Sequence, residues 1–310
     1  MIYSQTFATD LLEKLSPEKI DEMLALQYLS AVSIKKQMSR GDKFYLITDT
    51  KGKEYTQNFP YDEILTSLDD YPYIRPVKMS IYKLYSIEVF IGKTYVHFDN
   101  DVLLFRKIPP FEDTIVQNCE GNSLRANYFN KIRHYEWVFP EYIDDIRQNY
   151  NPGVFGFTKD SKVRDLYYST ALEYSARNIE ILNNMQSSTR KSIHSTAMND
   201  VCLVLEEGLL WYLCNRDKIN VVEFAPDRLA DYPLAWGTYS RGKIRNIDFQ
   251  TIGRKWYFNW RHEKYLHLMG YMYMKDNHEL SFLPQRGFLE MYYLYPEEVN
   301  KLLKGNLWKQ

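Results

Sequence analysis

The amino-acid sequence predicts an α/β protein with a mostly parallel, Rossmann-like central sheet flanked by helices. Two continuous apolar segments, 44–48 and 94–98, are typical of strands that are buried on both faces of a sheet. Segments in which apolar residues recur at helical spacing precede and separate these strands. Strands joined through helices of this length favour right-handed crossovers, and therefore parallel pairing.

Composition narrows the class of protein. The chain has 310 residues, of which 45% are hydrophobic and 25% charged, so it can bury a sizeable core and is neither disordered nor collagen-like. Lys and Arg number 39 and Asp and Glu 40, a balance that disfavours a nucleic-acid binder. Three scattered cysteines indicate reduced thiols rather than a disulfide framework or a cysteine zinc site.

The sequence shows no targeting or membrane segment. Residues 1–5 lack the basic and apolar regions of a secretory signal, and no stretch approaches the roughly 20 apolar residues of a spanning helix. We therefore expect a cytoplasmic protein, with peripheral membrane contact left open.

The individual elements follow from local signals. Ser16-Pro17-Glu18 is a typical helix start, and Gly41 is expected to end that helix. The predicted strands are 2–6, 44–48, 94–98, 114–118 and 153–158, and the predicted helices are 17–41, 61–68, 78–90, 161–185 and 199–216. The signal is weak from Val221 onward, and we predict one continuous domain over residues 1–310.

Acidic residues follow two of the predicted strands. Asp49 and Asp99 lie at strand ends, where α/β sheets bind ligands. Asp99 and Asp101 are two residues apart, so in an extended segment their carboxylates point the same way and repel unless a cation lies between them. Mg²⁺ or Mn²⁺ commonly bridges such carboxylates to phosphates. The alternative is an Asx-type turn.

The segment Tyr95–Pro109 resembles the metal-binding segment of GT-A-type glycosyltransferases. It is similar to bacterial glycosyltransferase-like proteins that carry H-x-D-x-D-V-F-L-W-K-P-L-P, and the resemblance covers about residues 1–160. The resemblance implies Mn²⁺ or Mg²⁺, a UDP- or GDP-linked sugar donor, and a glycan or other hydroxyl acceptor. Residues 1–110 would form the nucleotide-sugar-binding half, and residues 111–310 the acceptor-side half with C-terminal helices.

The same resemblance assigns site residues. Asp101 would be the main metal ligand, and Asp99 would contact the metal or the ribose. The substrate-binding residues implied in the first half are Thr6, Asp49, Lys78, Asp99 and Asn100.

Asn151-Pro152-Gly153-Val154 resembles the N-x-G-V strand start that lines the sugar pocket of retaining glycosyltransferases. Gly153 leaves room for a hexose ring, and the Asn151 amide offers both a donor and an acceptor, so we expect Asn151 to act in catalysis. The alternative is a simple turn leading into a strand.

Residues 265–270 resemble the H-x-x-G motif of retaining transferases. By this resemblance His267 is a third metal ligand, while Gly270 and Lys275 contact the substrate. The family motif has a lysine where this chain has Tyr273, which weakens the role of Lys275. The alternative is that His267 only caps a buried strand.

Two further groups of residues could contact a substrate. Glu206 is a candidate catalytic base or acceptor contact, but Glu206 and Glu207 would face about 100° apart on a helix, so at most one points into a site. A solvated helix face is the favoured interpretation of this pair. Basic residues among aromatics over 241–264 could bind a diphosphate, an anionic glycan or lipid phosphates; the alternative is a solvated surface.

Together these observations favour a metal-dependent glycosyltransferase that retains the configuration of the sugar, in bacterial surface-glycan synthesis by analogy. The alternative is a nucleotide- or glycan-binding protein without turnover. Aromatic residues make up 16% of the chain, which suits either a carbohydrate cleft or, more simply, core filling.

Overall fold

The computed structural model describes residues 1–12, 15, 17–71, 78–120, 148–184, 204–224, 265–267 and 294–304. The chain divides into two compact units that alternate along the sequence. Unit 1 consists of Met1–Thr6, Ser67–Asp99 and Pro110–Pro226, and unit 2 of Phe7–Thr66, Asn100–Pro109 and Asp227–Gln310. The single continuous domain stays a prediction.

Nine strands lie in the described residues. They are β1 (Ile2–Phe7), β2 (Lys43–Thr48), β3 (Glu63–Leu65), β4 (Tyr95–Phe98), β5 (Val102–Leu104), β6 (Thr114–Glu120), β7 (Asn149–Phe157), β8 (Val221–Glu223) and β9 (Tyr265–His267). Seven form a sheet in the order β3-β2-β1-β4-β7-β6-β8, while β5 and β9 form an antiparallel pair. The pairs β1–β4, β2–β3 and β6–β8 are parallel, and β7 runs antiparallel to β4 and β6.

The described helices are α1 (Pro17–Gln37), α2 (Thr50–Thr56), α3 (Lys78–Val89), α4 (Arg164–Asn184), α5 (Leu209–Arg216) and α6 (Pro296–Lys304). The predicted α/β class, with a mostly parallel sheet and flanking helices, is confirmed. None of the helices within the described ranges is both long enough and apolar enough to cross a bilayer.

The helix predicted over residues 61–68 is wrong, because this segment pairs with β2 instead. Asp62 N donates to Phe44 O at 2.8 Å, and the Asp62 carboxylate accepts from Phe44 N at 2.9 Å. The strand that follows aligns Ile64 with Leu46 in parallel register. The backbone groups of this segment are therefore hydrogen-bonded to β2 instead of to one another, as they would be in a helix.

Three other predicted boundaries shift. Helix α1 ends at Gln37, and Gly41 lies in the turn beyond it with φ +95°. Strand β7 begins at Asn149, so Gly153 lies within a strand rather than at its start. The described part of the predicted helix 199–216 is a π-helical turn (Val204–Gly208) followed by α5.

Aromatic rings fill the core of unit 1. Tyr95 of β4 lies 6.3 Å from Phe155 and 6.1 Å from Phe157 between ring centroids, and Phe157 lies 6.1 Å from Tyr167 of α4. All four side chains are buried. Core filling therefore accounts for these rings of the aromatic excess.

The core of unit 2 forms where α1 packs against β2 and β5. Leu24, Leu29, Leu46 and Leu103 are buried together there. Two hydroxyls of α1 also bind the backbone of β5: Ser30 Oγ donates to Val102 O, and Ser33 Oγ accepts from Leu104 N at 2.9 Å. Serine is a poor helix interior residue, but here its hydroxyls satisfy strand groups that would otherwise be buried without partners.

Candidate functional site

The reversed direction of β7 brings its first residues to the carboxyl ends of β4 and β6. Asn151 pairs with Asn118 of β6, and Gly153 O accepts from Asp99 N at 2.9 Å just beyond β4. Asn118 and Asn151 are buried. Unit 1 therefore concentrates polar groups at the edge of the sheet where α/β proteins bind ligands.

A lysine of α3 gathers three oxygen atoms at this edge. Lys83 Nζ lies 2.7 Å from Asp99 Oδ1, forms an ion pair with Glu206 Oε1, and donates to Pro152 O at 3.3 Å. We call Lys83, Asp99, Glu206 and the Pro152 carbonyl the Lys83 cluster. The side chains of Lys83, Asp99 and Glu206 are 12%, 23% and 8% exposed, so the charges are largely withdrawn from water.

Charge and burial act on the protonation of the cluster and its neighbour. Burial lowers the pKa of Lys83, but the Asp99 and Glu206 carboxylates outweigh burial and hold the pKa above the ordinary lysine value. Burial, assisted by the Lys83 charge, holds the pKa of His97 well below its usual value. At neutral pH the lysine is therefore charged, and the imidazole beside it is neutral.

The backbone around the cluster is tied down. Tyr167 OH donates to Glu206 O at 2.7 Å, and Gln5 Nε2 donates to Asp99 O at 3.1 Å. His97 Nδ1 and Ser4 Oγ share a hydrogen bond of 3.0 Å between β4 and β1. These contacts fix the two residues whose carboxylates face Lys83.

Both glutamates of the π-helical turn belong to this region. Glu206 pairs with Lys83, and Glu207 Oε2 accepts from Asn149 Nδ2 at 2.7 Å. The favoured interpretation of the pair as a solvated helix face is wrong. Glu206 is buried, and both carboxylates bond to side chains of other elements in unit 1. The two carboxylates of this π-helical turn reach different partners, Lys83 and Asn149.

The predicted sugar-pocket residues lie beside the cluster. Asn151 is 2% exposed, and its Oδ1 accepts from Gly153 N at 3.0 Å. This bond is local to β7, and it leaves the catalytic role of Asn151 and the hexose space at Gly153 as predictions.

Other predicted substrate contacts lie elsewhere. In unit 2 the Asp49 carboxylate caps α2, accepting from Gly52 N at 2.7 Å, from Thr9 N at 2.7 Å and from Thr9 Oγ1 at 3.0 Å. Thr6 is the penultimate residue of β1, and Lys78 begins α3. Their substrate contacts stay predictions.

The predicted metal ligands are divided between the units. Asp99 belongs to unit 1, whereas Asp101 and His267 belong to unit 2, as does the predicted substrate contact Asn100. Within unit 2, His267 of β9 pairs in register with Val102 of β5, directly after Asp101. Gly270 and Lys275, like the basic segment 241–264, lie outside the described residues.

Among the described residues, the positive charge at Asp99 comes from Lys83. The ammonium group of Lys83 already occupies the position between the Asp99 and Glu206 oxygens. Among the side chains that the structure describes, no three His, Cys, Asp or Glu residues come together as ligands of one ion. The roles of Asp99, Asp101 and His267 as ligands stay predictions.

Sequence reasoning missed Lys83, His97 and Asn149 as individual site residues. A signal for Lys83 was present, because it is the only charged residue within the apolar stretch Ile81–Ile87 of α3. A lysine in such a position is buried only when it is paired.

A protein-family model matches residues 23–304, which is most of the chain. The chain belongs to this family. It is described as a family of unknown function (DUF6734). No curated protein sequence matches this DUF6734 chain.

Solved structures that resemble this DUF6734 chain include glycosyltransferases. The glycosyltransferase GlyE of Streptococcus pneumoniae TIGR4 is 9% identical with TM-score 0.38, covering 94% of this chain. An active-site mutant of LgtC is 13% identical with TM-score 0.38. The match covers 77% of this chain and 80% of the LgtC chain. Mouse xyloside xylosyltransferase 1 is 10% identical with TM-score 0.38. The match covers 76% of this chain and 92% of the xylosyltransferase chain.

The DUF6734 chain spans 63% of the GlyE chain that it resembles.

Proposed function

We propose that this protein is a glycosyltransferase that moves a sugar from a nucleotide-diphospho-sugar to an acceptor hydroxyl. The observation that carries the proposal is the Lys83 cluster, in which Asp99 and Glu206 are held by one ammonium group just beyond β4. From β1 the chain adds β2 and β3 on one side of the sheet and β4 on the other. Open α/β sheets bind ligands where the strand order reverses in this way. The resemblance of Tyr95–Pro109 to GT-A enzymes points to the same chemistry.

The cluster supplies groups that sugar transfer needs. Sugar hydroxyls donate hydrogen bonds, and the two fixed carboxylates are strong acceptors. Because these groups are already ordered by Tyr167 and Gln5, they need little rearrangement when the donor binds.

In the proposed reaction the bond between the anomeric carbon and the diphosphate oxygen breaks, and the acceptor oxygen bonds to that carbon. The acceptor proton passes to the Glu206 carboxylate, and Asn151 contacts the sugar. Retention of configuration follows from the N-x-G and H-x-x-G resemblances and belongs to the proposal. Dependence on Mn²⁺ or Mg²⁺ belongs to the proposal and rests on Asp101 and His267.

The test is hydrolysis and transfer with a panel of UDP- and GDP-linked sugars, with the anomeric configuration of the product read by proton NMR. Glu206→Gln should lower kcat by about 100-fold or more while donor binding persists. Glu173→Gln, an exposed residue of α4, is the matched control and should leave kcat unchanged. Failure of the wild-type chain to bind either nucleotide diphosphate would refute the proposal.

A second candidate is a nucleotide- or glycan-binding protein without turnover. The specific observation in its favour is that one lysine pairs with both carboxylates of the cluster, so that neither is an unpaired base. Calorimetry that shows tight UDP or GDP binding, together with no turnover of any sugar in the panel, would select this candidate.

A further inference from the structure

The oxygen atoms around Lys83 Nζ form a small coordination shell. Asp99 Oδ1 at 2.7 Å, Glu206 Oε1 and Pro152 O at 3.3 Å each face the ammonium group. An ammonium group has three N–H donors. Each donor can therefore be assigned to one oxygen, two of them anionic and one a backbone carbonyl.

This donor set is of the kind that hard divalent cations take. Mg²⁺ and Mn²⁺ prefer carboxylate and carbonyl oxygens, and carboxylates brought together repel one another unless a cation or a proton compensates. The Asp99 and Glu206 side chains are 23% and 8% exposed, so water compensates them only in part. Lys83 supplies the missing positive charge from within the chain.

The surroundings hold this arrangement in place. Asp99 is bonded through its backbone on both sides, since its N–H donates to Gly153 O at 2.9 Å and its C=O accepts from Gln5 at 3.1 Å. The C=O of Glu206 accepts from Tyr167 OH at 2.7 Å. These bonds hold the backbone of Asp99 and of Glu206 where both carboxylates reach Lys83.

We propose that Lys83 is the resident cation of this site, so that Asp99 does not ligate a divalent ion while Lys83 is present. Any divalent ion that the protein binds uses other ligands. This inference does not rest on the proposed function, because it concerns the protein without any substrate. It also gives Asp99 and Asp101 different roles, although the sequence motif had assigned both of them to the metal.

The experiment measures Mn²⁺ binding to the full-length protein by electron paramagnetic resonance and calorimetry, without nucleotide. Asp99→Asn should bind Mn²⁺ as the wild type does, within about twofold. Lys83→Met, which keeps the length of the side chain but removes its charge, should gain a Mn²⁺ site at least about tenfold tighter than any wild-type site. The gain should disappear in the double variant Lys83→Met with Asp99→Asn, and Lys83→Arg should behave as the wild type.

Two results would overturn the inference. The first is a loss of wild-type Mn²⁺ affinity of about tenfold or more in Asp99→Asn, which would make Asp99 a ligand. The second is a folded Lys83→Met protein that gains no site. If Lys83→Met does not fold, the comparison of Asp99→Asn with the wild type decides. Because no sugar donor is involved, a negative result here leaves the glycosyltransferase proposal to its own test.

Discussion

Lys83 Nζ lies 2.7 Å from Asp99 Oδ1 and thereby joins the middle of α3 to the residue that follows β4. The same ammonium group reaches Glu206, so one side chain connects three separate parts of unit 1. Replacing both partners of a buried ion pair by apolar residues often changes the stability little. Removing only one partner leaves the other charge buried without compensation, and the protein is destabilised. The cluster is therefore a sensitive point for stability as well as for chemistry.

Lys83→Met should lower the free energy of unfolding by about 3 kcal/mol, the low end of the range for breaking a buried pair, because Asp99 is partly exposed. Urea unfolding followed by circular dichroism measures this change. Lys93→Met, at an exposed lysine after α3, is the control and should change stability by less than about 0.5 kcal/mol. Equal effects of the two substitutions would show that the ion pair does not stabilise unit 1.

His97 should make stability depend on pH below neutrality. Its folded-state pKa is depressed by burial and by Lys83, so the unfolded chain takes up a proton that the folded chain does not. Stability is therefore fully present above about pH 6.5 and falls as the pH drops, by at most about 1.4 kcal/mol per pH unit from this group. Denaturant unfolding between about pH 7 and 5.5, above the carboxyl range, measures it. His97→Asn should flatten the profile, and an unchanged slope would contradict the depressed pKa.

Asp49 should behave as a structural cap of unit 2. Asp49→Ala removes three hydrogen bonds, two to Thr9 and one to Gly52, and should cost about 2 kcal/mol of unfolding free energy. Lys51→Ala, exposed on the same helix, is the control and should stay within about 0.5 kcal/mol. A small stability loss in Asp49→Ala together with lost nucleotide binding would instead support the substrate contact predicted from the sequence.

Gly156 should tolerate no side chain. A Cβ atom at this position would lie 2.4 Å from Tyr95 O, so Gly156→Ala must separate β4 from β7 and should cost about 3 kcal/mol. At Gly92 a Cβ atom meets nothing within 4 Å, and only its positive φ of 71° opposes alanine, so Gly92→Ala should cost about 1 kcal/mol. Thermal unfolding of both variants measures the difference, and the reverse order would contradict the close approach of the strands.

Local signals predicted the fold class and several elements, and they failed where distant pairing decides. β2 and β4 are short apolar runs, and α1 has a proline at its first position, so sequence alone located them. Residues 61–68 also include apolar residues, but the backbone N–H and the carboxylate of Asp62 both bond to Phe44, and a strand forms there. The residues of that segment alone do not indicate that it pairs with β2.

The candidate site was only partly predictable for the same reason. Asp99 and Glu206 were selected from a motif and from a helix, but the lysine that joins them lies on a third element. The role of Lys83 depends on how α3 packs beside the end of β4, which is a matter of tertiary structure. The carboxylate of Asp49 shows the converse, because a residue at a strand end can cap the next helix.

The alternation of the two units along the chain has a practical consequence for dissecting the protein. Their six segments are interleaved, so the backbone passes from one unit to the other five times, including once between Asp99 and Asn100. A clone truncated after Pro226 would still carry Phe7–Thr66 and Asn100–Pro109 of unit 2 without its remaining segment. Deletion mapping therefore cannot isolate either unit, and dissection of this chain has to proceed by single substitutions.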